Sequence, residues 1–242
     1  MNASAGLKMD VAATFSAAAD TYEQSADAQR QIAGALAARI AATTLPQHPR
    51  ILEIGCGTGF LSRELQPHFP NAAWLLTDIS ERMLTRCKAG FSGDARFMVM
   101  DGERPSCATE QFDLICASLS FQWFDDLETA LERLSGLLAP GGHLMFATLA
   151  TDSFREWRDA YPLARAYTSV ETLRRFGDVD EERFTREYPD ALTFLDHWRQ
   201  IGAHLPRDGQ RPLSPGALRR ALRPFETGIA VTYHVAYGHI KR

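Results

Sequence analysis

Cysteine is scarce in this chain, and the few cysteines present are not spaced to bind a metal. Four occur among 242 residues, namely Cys56, Cys87, Cys107 and Cys116, and no two of them form a Cys-x-x-Cys pair. Structural zinc sites use such pairs or cysteines close to histidines, and small secreted domains need denser disulfide frameworks. We therefore expect small buried residues or free thiols at these positions, and no metal site.

Long apolar runs are also missing. No stretch approaches the roughly 20 apolar residues of a membrane helix, and the N-terminus lacks a basic head followed by an apolar core. With 45% hydrophobic and 23% charged residues, the composition is that of an ordinary globular chain. We expect a cytoplasmic protein without a membrane partner. The length suits one α/β domain, alone or with a small insert.

Positive charge is sparse overall, since the formal net charge is −4, but arginines concentrate in the segment 199–223. Only one acid, Asp208, accompanies them. The arginines are Arg199, Arg207, Arg211, Arg219, Arg220 and Arg223. A basic surface of this kind suits an acidic partner, and a solvated helix face is the alternative. Because no aromatic residues are interleaved in the segment, we do not expect nucleic-acid binding.

The most informative stretch is an apolar run with one embedded acid that meets three glycines at alternate positions. It reads Ile51-Leu52-Glu53-Ile54-Gly55-Cys56-Gly57-Thr58-Gly59. Followed by an amphipathic segment, it predicts strand, tight turn and helix, the start of a nucleotide-binding α/β unit. Glycine suits a turn with unusual dihedral angles that a ligand must touch. The helix N-terminus behind the turn offers unpaired N–H groups to an anionic group.

Two details of this stretch indicate the ligand. The spacing is Gly-x-Gly-x-Gly, whereas a pyrophosphate-binding turn has Gly-x-Gly-x-x-Gly. Glu53 places a carboxylate where the phosphates of a dinucleotide would be repelled, which argues against a nicotinamide dehydrogenase. A cofactor with a positive group and only a small carboxylate, S-adenosylmethionine, fits better. An ordinary strand-to-helix turn is the alternative.

Acids at the ends of the next two strands extend this interpretation. Asp78 ends the apolar run 73–78, 19 residues beyond Gly59, close to the distance of about 20 residues at which a carboxylate receives the ribose hydroxyls of an adenosine cofactor. Asp101, after the run 96–100, is placed to accept from the adenine amino group between Ile79 and Met100. A turn-forming Asp-Gly pair, Asp101 with Gly102, is an equally good interpretation.

The fourth predicted strand, 112–118, is apolar enough to be central in a parallel sheet. Its exit, 119–124, lies at the carboxyl edge, where ligands bind in open α/β sheets. Here Gln122 and Trp123 lie among further aromatics, and aromatic rings suit a pocket wall beside a positive sulfonium. A hydrophobic plug beneath the next helix is the alternative for one or two of these rings.

Alternating strands and helices predict an α/β fold with a doubly wound, mostly parallel sheet. We expect one domain over 1–242, with frayed residues 1–10. Within it we expect an N-terminal helical lid over 11–42, broken near Ser25–Asp27, and a cofactor-binding core over 50–150. A helical cap insert over 151–182 begins with capping-box patterns at Ser153 and Thr168. The strands and helices of 183–242, including a strand at 184–188, complete the sheet.

Several of these motifs together resemble a known family. Glu53-x-Gly-x-Gly-x-Gly, Asp78, Asp101 and the turn at 138–142 resemble class I S-adenosylmethionine-dependent methyltransferases. The flanking motifs are similar to malonyl-acyl carrier protein O-methyltransferases of biotin synthesis. These are Phe15-x-x-Ala18-Ala19-x-x-Tyr22-Glu23-x-x-Ala26-x-x-Gln29-Arg30, Gln122-Trp123, Thr148-Leu149-Ala150-Thr151-Asp152-Ser153-Phe154, Arg199-Gln200-Ile201-Gly202-Ala203 and Val231-Thr232-Tyr233-His234-Val235. The loop between the last two, at 207–212, fits only loosely.

The resemblance implies a seven-stranded Rossmann-like sheet with an antiparallel last strand. It implies methyl transfer from S-adenosylmethionine to the free carboxylate of malonyl-acyl carrier protein, with S-adenosylhomocysteine as product. We expect the cofactor to contact Glu53, Gly55, Gly57, Gly59, Asp78, Ile79, Asp101, Gly102 and Ser118. We expect Tyr22, Gln122, Trp123 and Arg199 to position the substrate carboxylate, and the acidic carrier protein to dock on Arg207, Arg211, Arg219, Arg220 and Arg223.

Two other functions are compatible with the same residues. One is a methyltransferase acting on another small carboxylic acid or on a quinone-type ring. The other is a cofactor-binding module without catalysis. No Ser/His/Asp or Cys/His nucleophile arrangement is present, which agrees with transfer to a carboxylate that is already ionised at neutral pH.

Overall fold

Seven strands form a single sheet with helices on both faces. The computed structural model describes residues 3–107, 111–161, 166–201 and 214–242. The strands are β1 (Arg50–Ile54), β2 (Ala73–Asp78), β3 (Ala95–Val99), β4 (Phe112–Ser118), β5 (Leu138–Leu149), β6 (Asp178–Tyr188) and β7 (Ile229–Lys241). The helices are α1 (Ala3–Ala18), α2 (Tyr22–Ser25), α3 (Asp27–Ala41), α4 (Phe60–Leu65), α5 (Glu81–Gly90), α6 (Leu127–Gly136), α7 (Arg155–Ala160), α8 (Val170–Arg174), α9 (Ala191–Gln200) and α10 (Pro215–Leu222).

The order of strands across the sheet is β3-β2-β1-β4-β5-β7-β6. The strands β1 to β5 pair in parallel, whereas β7 runs antiparallel to both β5 and β6. The doubly wound, mostly parallel fold with an antiparallel last strand is therefore confirmed. The order reverses between β1 and β4, so the carboxyl ends of these two strands flank the crevice where ligands bind in such sheets.

The central strands are buried on both faces, as their apolar sequences predict. Ile51, Leu52 and Ile54 in β1 are at most 1% exposed. On one face of the sheet, α3 and α4 contribute Leu36 and Leu61 to the core, and on the other face α6 contributes leucines of its own. This double coverage fixes the end of β1, and with it the glycine turn that follows.

Several predicted boundaries agree with the structure. Strands β2 and β4 have the predicted limits, and β3 lies one residue earlier than predicted. Ser80 caps α5 by accepting a hydrogen bond from the Met83 N–H. The expected turn at 140–142 lies inside β5 as a bulge, where the register with β4 shifts.

The N-terminal segment differs from the prediction. Residues expected to be frayed form the start of α1, and the helical lid, predicted with one break, is divided among three helices. The chain turns after Ala18 and again at Ala26, whereas only the second break was expected. The first break was not predicted, because apolar residues at helical spacing, among them Phe15, Ala19 and Ala26, continue through the turn.

The region after β5 also differs from the prediction. Strand β6 begins at Asp178, so the last part of the expected insert, 178–182, belongs to the sheet. Its acidic sequence suits an edge strand, which exposes charged side chains and shows little apolar alternation. Neither predicted capping box forms. The hydroxyl of Ser153 donates to the carbonyl of His234 instead of capping α7, and α8 is capped by Ser169, one residue after Thr168.

Two further observations concern the cysteines and the helices. All four cysteines are free and buried, as expected. Within the ranges that the structure describes, no helix combines the length and the apolar character needed to cross a membrane.

Candidate functional site

The glycine turn between β1 and α4 adopts the conformation that its sequence predicts. Gly55, Gly57 and Gly59 all have positive φ angles, of 66°, 56° and 93°. A Cβ atom at Gly55 would lie 2.5 Å from the Cβ atom of Ser120, and one at Gly59 would lie 2.9 Å from the Sγ atom of Cys87. Both the dihedral angles and the close approach of neighbours therefore require glycine at these two positions.

Two adjoining cavities lie at the carboxyl edge beside this turn. The larger, called here the main cleft, has a volume of about 650 Å³ including its open mouth. The smaller, called here the side cavity, has a volume of about 330 Å³. Both are lined by Tyr22, Gly55, Gly57, Ser118 and Leu119. Together they form an elongated site of the size that small-molecule cofactors occupy.

Asp78 lies at the centre of the main cleft and is nearly fully buried. Its Oδ2 accepts from the N–H of Gly57 at 2.9 Å, and its Oδ1 accepts from the N–H of Ser80 at 2.8 Å. Burial raises the pKa of Asp78 to about 6, against the effect of these backbone donors. Each oxygen keeps a free lone pair, so the carboxylate can also receive two hydroxyl groups of a ligand.

The side cavity is bordered by buried polar atoms without a protein partner. They are Glu53 Oε2, Gln29 Oε1 and Thr58 Oγ1. Burial, together with the nearby Cys87 and Asp78, raises the pKa of Glu53 well above its usual value. Unpaired buried acceptors are unfavourable unless a ligand donates to them. A group with several N–H donors and a positive charge, such as the ammonium of a methionine moiety, matches these acceptors.

The opposite end of the main cleft has apolar walls and one acid. Ile79 and Met100 line it, as expected. Asp101 is also on the wall, and its Oδ1 accepts from the N–H of Glu103 at 3.1 Å, so the turn-forming interaction is present as well. Gly102 cannot carry a side chain, because a Cβ atom there would lie 2.2 Å from Ile54. A flat heterocycle with an amino group fits between these walls.

The chain leaves β4 through a strained turn that borders both cavities. Leu119 has a φ angle of 53°, which is unusual for a residue other than glycine. The side-chain amide of Gln122 donates to the carbonyl of Leu119 at 2.6 Å, and its oxygen accepts from Thr148 at 3.3 Å. Gln122 therefore supports the turn at Leu119 and is not part of the cleft wall, where the sequence analysis had expected it.

The N-terminal helices cover the cleft. Phe15 on α1 packs edge-on against Trp123 with 5.4 Å between ring centroids, and both rings line the main cleft. Tyr22 on α2 stacks on Phe60 at 6.0 Å. Burial, reinforced by the charge of Asp78, raises the pKa of Tyr22, so its phenol stays protonated at neutral pH and can donate a hydrogen bond.

The structure brings together most of the predicted residues. Those on the cavity walls are Tyr22, Glu53, Gly55, Gly57, Asp78, Ile79, Asp101, Gly102, Ser118 and Trp123. Gly59 shapes the turn from behind. Arg199 is elsewhere: it lies on α9 with its side chain 60% exposed, paired with Asp196 at 2.6 Å. Arg199 lines neither cavity, and its contact with the substrate carboxylate stays a prediction.

The proposed docking arginines divide into two groups. Arg219, Arg220 and Arg223 are exposed and line a shallow groove between α9 and α10. Arg207 and Arg211 lie outside the described residues. The sequence did not predict several wall residues, among them Met83 on α5 and, on α1, Lys8 and Val11. The last two are the hardest to predict. They fall in or next to the segment expected to be frayed, and nothing in their local sequence distinguishes them.

The sequence is similar to curated proteins along nearly its whole length. A family model described as "Methyltransferase domain" matches residues 51–142. The chain is 43% identical to a malonyl-[acyl-carrier protein] O-methyltransferase of Magnetococcus marinus, over 91% of this chain and 88% of that protein. It is 47% identical to the biotin biosynthesis bifunctional protein BioCD of Bordetella avium, over 96% of this chain. The chain spans about half, 52%, of that bifunctional protein.

Solved structures of low sequence identity share the fold. A protein described as a "putative methyltransferase" from Bacillus halodurans superimposes with a TM-score of 0.61 at 11% identity, over 86% of this chain and 97% of that one. The plantazolicin methyltransferase BpumL in complex with S-adenosylhomocysteine gives a TM-score of 0.56 at 19% identity, over 99% and 97% of the two chains. These similarities show that the chain shares the fold of these proteins. They do not identify the reaction, which depends on the residues of the site.

Proposed function

The chain belongs to the malonyl-[acyl-carrier protein] O-methyltransferase family, and on that premise we propose that it methylates the free carboxylate of malonyl-acyl carrier protein. The methyl donor is S-adenosylmethionine. The product is a malonyl methyl ester, in which a charge has been masked so that fatty-acid enzymes can extend the chain toward a biotin precursor. The observation that carries this proposal is the cleft with two buried carboxylates, Glu53 and Asp78, in a chain 43% identical to a relative of that name.

The cleft residues fit the cofactor group by group. Glu53, Gln29 and Thr58 would hold the methionine ammonium, since each presents an unpaired atom to the side cavity. Asp78 would receive the ribose hydroxyls. Asp101 would receive the adenine amino group between Ile79 and Met100. S-adenosylmethionine supplies, when bound, a methyl group on a positively charged sulfur.

The protein then has to orient the reactants and exclude water. A malonyl carboxylate is ionised at neutral pH, so no side chain must remove a proton from it. Orientation of two reactants contributes up to about 7–11 kcal/mol to lowering a barrier. The rings of Phe15 and Trp123 and the side chain of Leu119 line the cleft and keep its walls apolar. Because the cofactor supplies an activated methyl group and the protein orients the reactants, the reaction needs neither a nucleophile nor a general base from the protein.

Tyr22 is the best placed residue to hold the substrate carboxylate. It borders both cavities, between the parts assigned to adenosine and to methionine, where the sulfonium would lie. Its protonated phenol can donate to the incoming carboxylate, which satisfies a charge that would otherwise be buried without a partner. Trp123 forms an adjoining wall. Gln122 contributes from behind by fixing the carbonyl of Leu119.

We place carrier-protein docking on the exposed arginines of α10 and the segment after it. The groove is lined by three arginines, two acids and apolar residues, namely Arg219, Arg220, Arg223, Asp190, Glu226, Ala191, Leu192, Leu222 and Phe225. An acidic carrier protein would be attracted to the arginines, and the apolar residues would bury part of its surface. Reversal of Arg219 and Arg220 to glutamate should raise KM for malonyl-acyl carrier protein at low salt and leave S-adenosylhomocysteine affinity unchanged. Equal KM values for variant and wild type would remove the docking surface from the proposal.

A mass assay tests the reaction itself. The protein is incubated with S-adenosylmethionine and with malonyl-, succinyl- or acetyl-acyl carrier protein. One added methyl group is expected on the malonyl thioester and none on the acetyl thioester, which lacks the carboxylate. Methylation of the acetyl form, or of no thioester by a protein that binds the cofactor, would contradict the proposed function. Localisation in the cytoplasm, where carrier protein is available, is part of the same proposal.

A further inference from the structure

Lys8 on α1 reaches into the adenine end of the main cleft, although that end is otherwise built from the β2 and β3 regions. Its Nζ lies 2.7 Å from Glu103 Oε2 and 3.5 Å from Asp101 Oδ1. The same ammonium donates to the carbonyl of Trp123 at 3.4 Å and lies 4.9 Å from the centre of the Phe124 ring. One cation thus joins the covering helix to three parts of the cofactor site.

The Lys8–Glu103 pair is shielded from water. Their side chains are only 13% and 7% exposed, whereas the side chains that pair Asp20 with Arg82 and Arg86 are more than half exposed. Glu103 also accepts from the N–H groups of Asp125 and Asp126, at 3.1 and 2.9 Å. Burial opposes ionisation of Glu103, but the hydrogen bonds from Lys8 and these N–H groups keep its pKa below the usual value. Glu103 is therefore a fixed anion to which α1 can attach.

Lys8 also forms part of the wall of the main cleft. Its side chain lines the main cleft beside Asp101, on the same wall as Phe124. A second contact lies further along α1, where the hydroxyl groups of Ser16 and Ser80 are 2.7 Å apart. A cofactor with its adenine against Asp101 cannot leave past this wall while α1 is held down at both points. Release of a product that fills the cleft requires these contacts to open.

We propose that Lys8 is a positioning residue for the cofactor: its bond to Glu103 holds α1 over the adenine end and slows escape of the bound adenosine moiety. The inference rests on the proposed function for the identity of the cofactor. It assigns Lys8 no contact with the reacting atoms. Lid closure and cofactor binding then favour each other, and couplings of this kind are typically worth 5- to 150-fold in affinity.

The test compares wild type with Lys8→Met, Lys8→Arg and, as a matched control, Asp20→Asn. Lys8→Met should weaken S-adenosylhomocysteine binding about tenfold, mainly through faster dissociation. It should raise KM for S-adenosylmethionine by a similar factor. KM for malonyl-acyl carrier protein should stay within about twofold of wild type, because Lys8 lies at the adenine end. Lys8→Arg should restore most of the affinity. Asp20→Asn should match wild type, since its exposed pairs contribute little.

Thermal unfolding of the ligand-free proteins shows whether Lys8→Met still folds, and this separates the proposed role from a purely structural one. If Lys8→Met does not fold because Glu103 has lost its cation, the double variant Lys8→Met/Glu103→Gln is measured in its place and should show the same fast dissociation. Unchanged dissociation in the variants, or tighter binding because Lys8 competes with adenine for Asp101, would overturn the inference. Failure of wild type itself to bind S-adenosylhomocysteine would instead contradict the proposed cofactor.

Discussion

Charged side chains are buried at the cofactor site, whereas they are exposed on the surface of α9. Glu53 in the side cavity and Asp78 in the main cleft are buried, and burial raises the pKa of both carboxyl groups. On α9, Arg199 and Asp196 are both more than half exposed and are paired with each other at 2.6 Å. The first arrangement is unfavourable for the protein alone, whereas the second is nearly neutral because water already solvates both groups.

This difference indicates which charges take part in binding. A buried carboxylate that lacks a cation becomes favourable only when a ligand supplies donors, so we expect Glu53 and Asp78 to bind a ligand. The Arg199–Asp196 pair has no such deficit. Residue type alone does not reveal the distinction, because an arginine fork suits a carboxylate wherever it lies.

Removal of the central carboxylate should have the largest effect. Asp78→Ala should weaken S-adenosylhomocysteine binding by about a hundredfold or more, because hydrogen bonds to a charged acceptor contribute roughly 1.5–3 kcal/mol each and two are lost. Binding is measured by isothermal titration calorimetry. Asp78→Asn keeps the size of the side chain and one acceptor oxygen and serves as the comparison. Its affinity should lie between those of wild type and Asp78→Ala. An Asp78→Ala protein that binds as wild type would show that the buried charge has no role in recognition.

The raised pKa values predict a pH dependence of binding. A ligand that donates to an ionised carboxylate binds the deprotonated form, so binding to the free protein releases protons from groups still protonated. For Asp78, with a pKa of about 6, affinity should fall as pH drops below about 6, approaching tenfold per pH unit. Above that pH the contribution of Asp78 levels off, and any further rise with pH belongs to Glu53.

Calorimetry in buffers of different ionisation enthalpy measures these protons directly. Asp78→Asn should lose the step near pH 6, and Glu53→Gln should lose the release that persists at higher pH. Affinity that does not change between pH 5 and pH 7 would mean that Asp78 is already ionised in the free protein. The charge of Asp78 would then be stable in the free protein, as the exposed charges on α9 are, and the contrast between the two regions would be weaker.

Gln29 offers a smaller test of the same contrast. Gln29→Leu removes the unpaired Oε1 from the side cavity and keeps the side-chain volume similar, so S-adenosylmethionine KM should rise about tenfold. The ligand-free protein should be as stable as wild type or slightly more so, because a buried acceptor without a partner has been removed. Gln31→Leu is the control on the same helix, since Gln31 is exposed and accepts from Arg186. Equal effects of the two substitutions would refute a special role for Gln29.

The sequence predicted the cofactor half of the fold well for physical reasons. Strands such as β1 and β4 are mostly apolar because both faces are covered, and the glycines are required by positive φ angles that only glycine adopts easily. These requirements are local, so a short stretch of sequence reveals them. Asp78 followed from the same logic, because its distance from the turn is set by one helix and one strand.

The rest of the site depends on contacts between distant segments. Lys8 reaches Glu103 only because α1 folds over the cleft, and no local pattern marks either residue. Gln122 had the right position in the chain, but its amide turns to the carbonyl of Leu119, which only the strained turn makes available. Strand β6 was missed in part because an edge strand needs few apolar residues.

The smallest effect is expected at Arg199, the residue that the sequence favoured for the substrate carboxylate. Arg199→Ala should change kcat and S-adenosylmethionine KM by less than about twofold, because an exposed ion pair spaced three residues apart contributes only a few tenths of a kcal/mol. KM for malonyl-acyl carrier protein should rise slightly at low salt, since one positive charge is lost from the basic segment, and this rise should vanish as salt screens the charge. A large loss of kcat without a change in thermal stability would instead place Arg199 beside the substrate and reverse the contrast between the two regions.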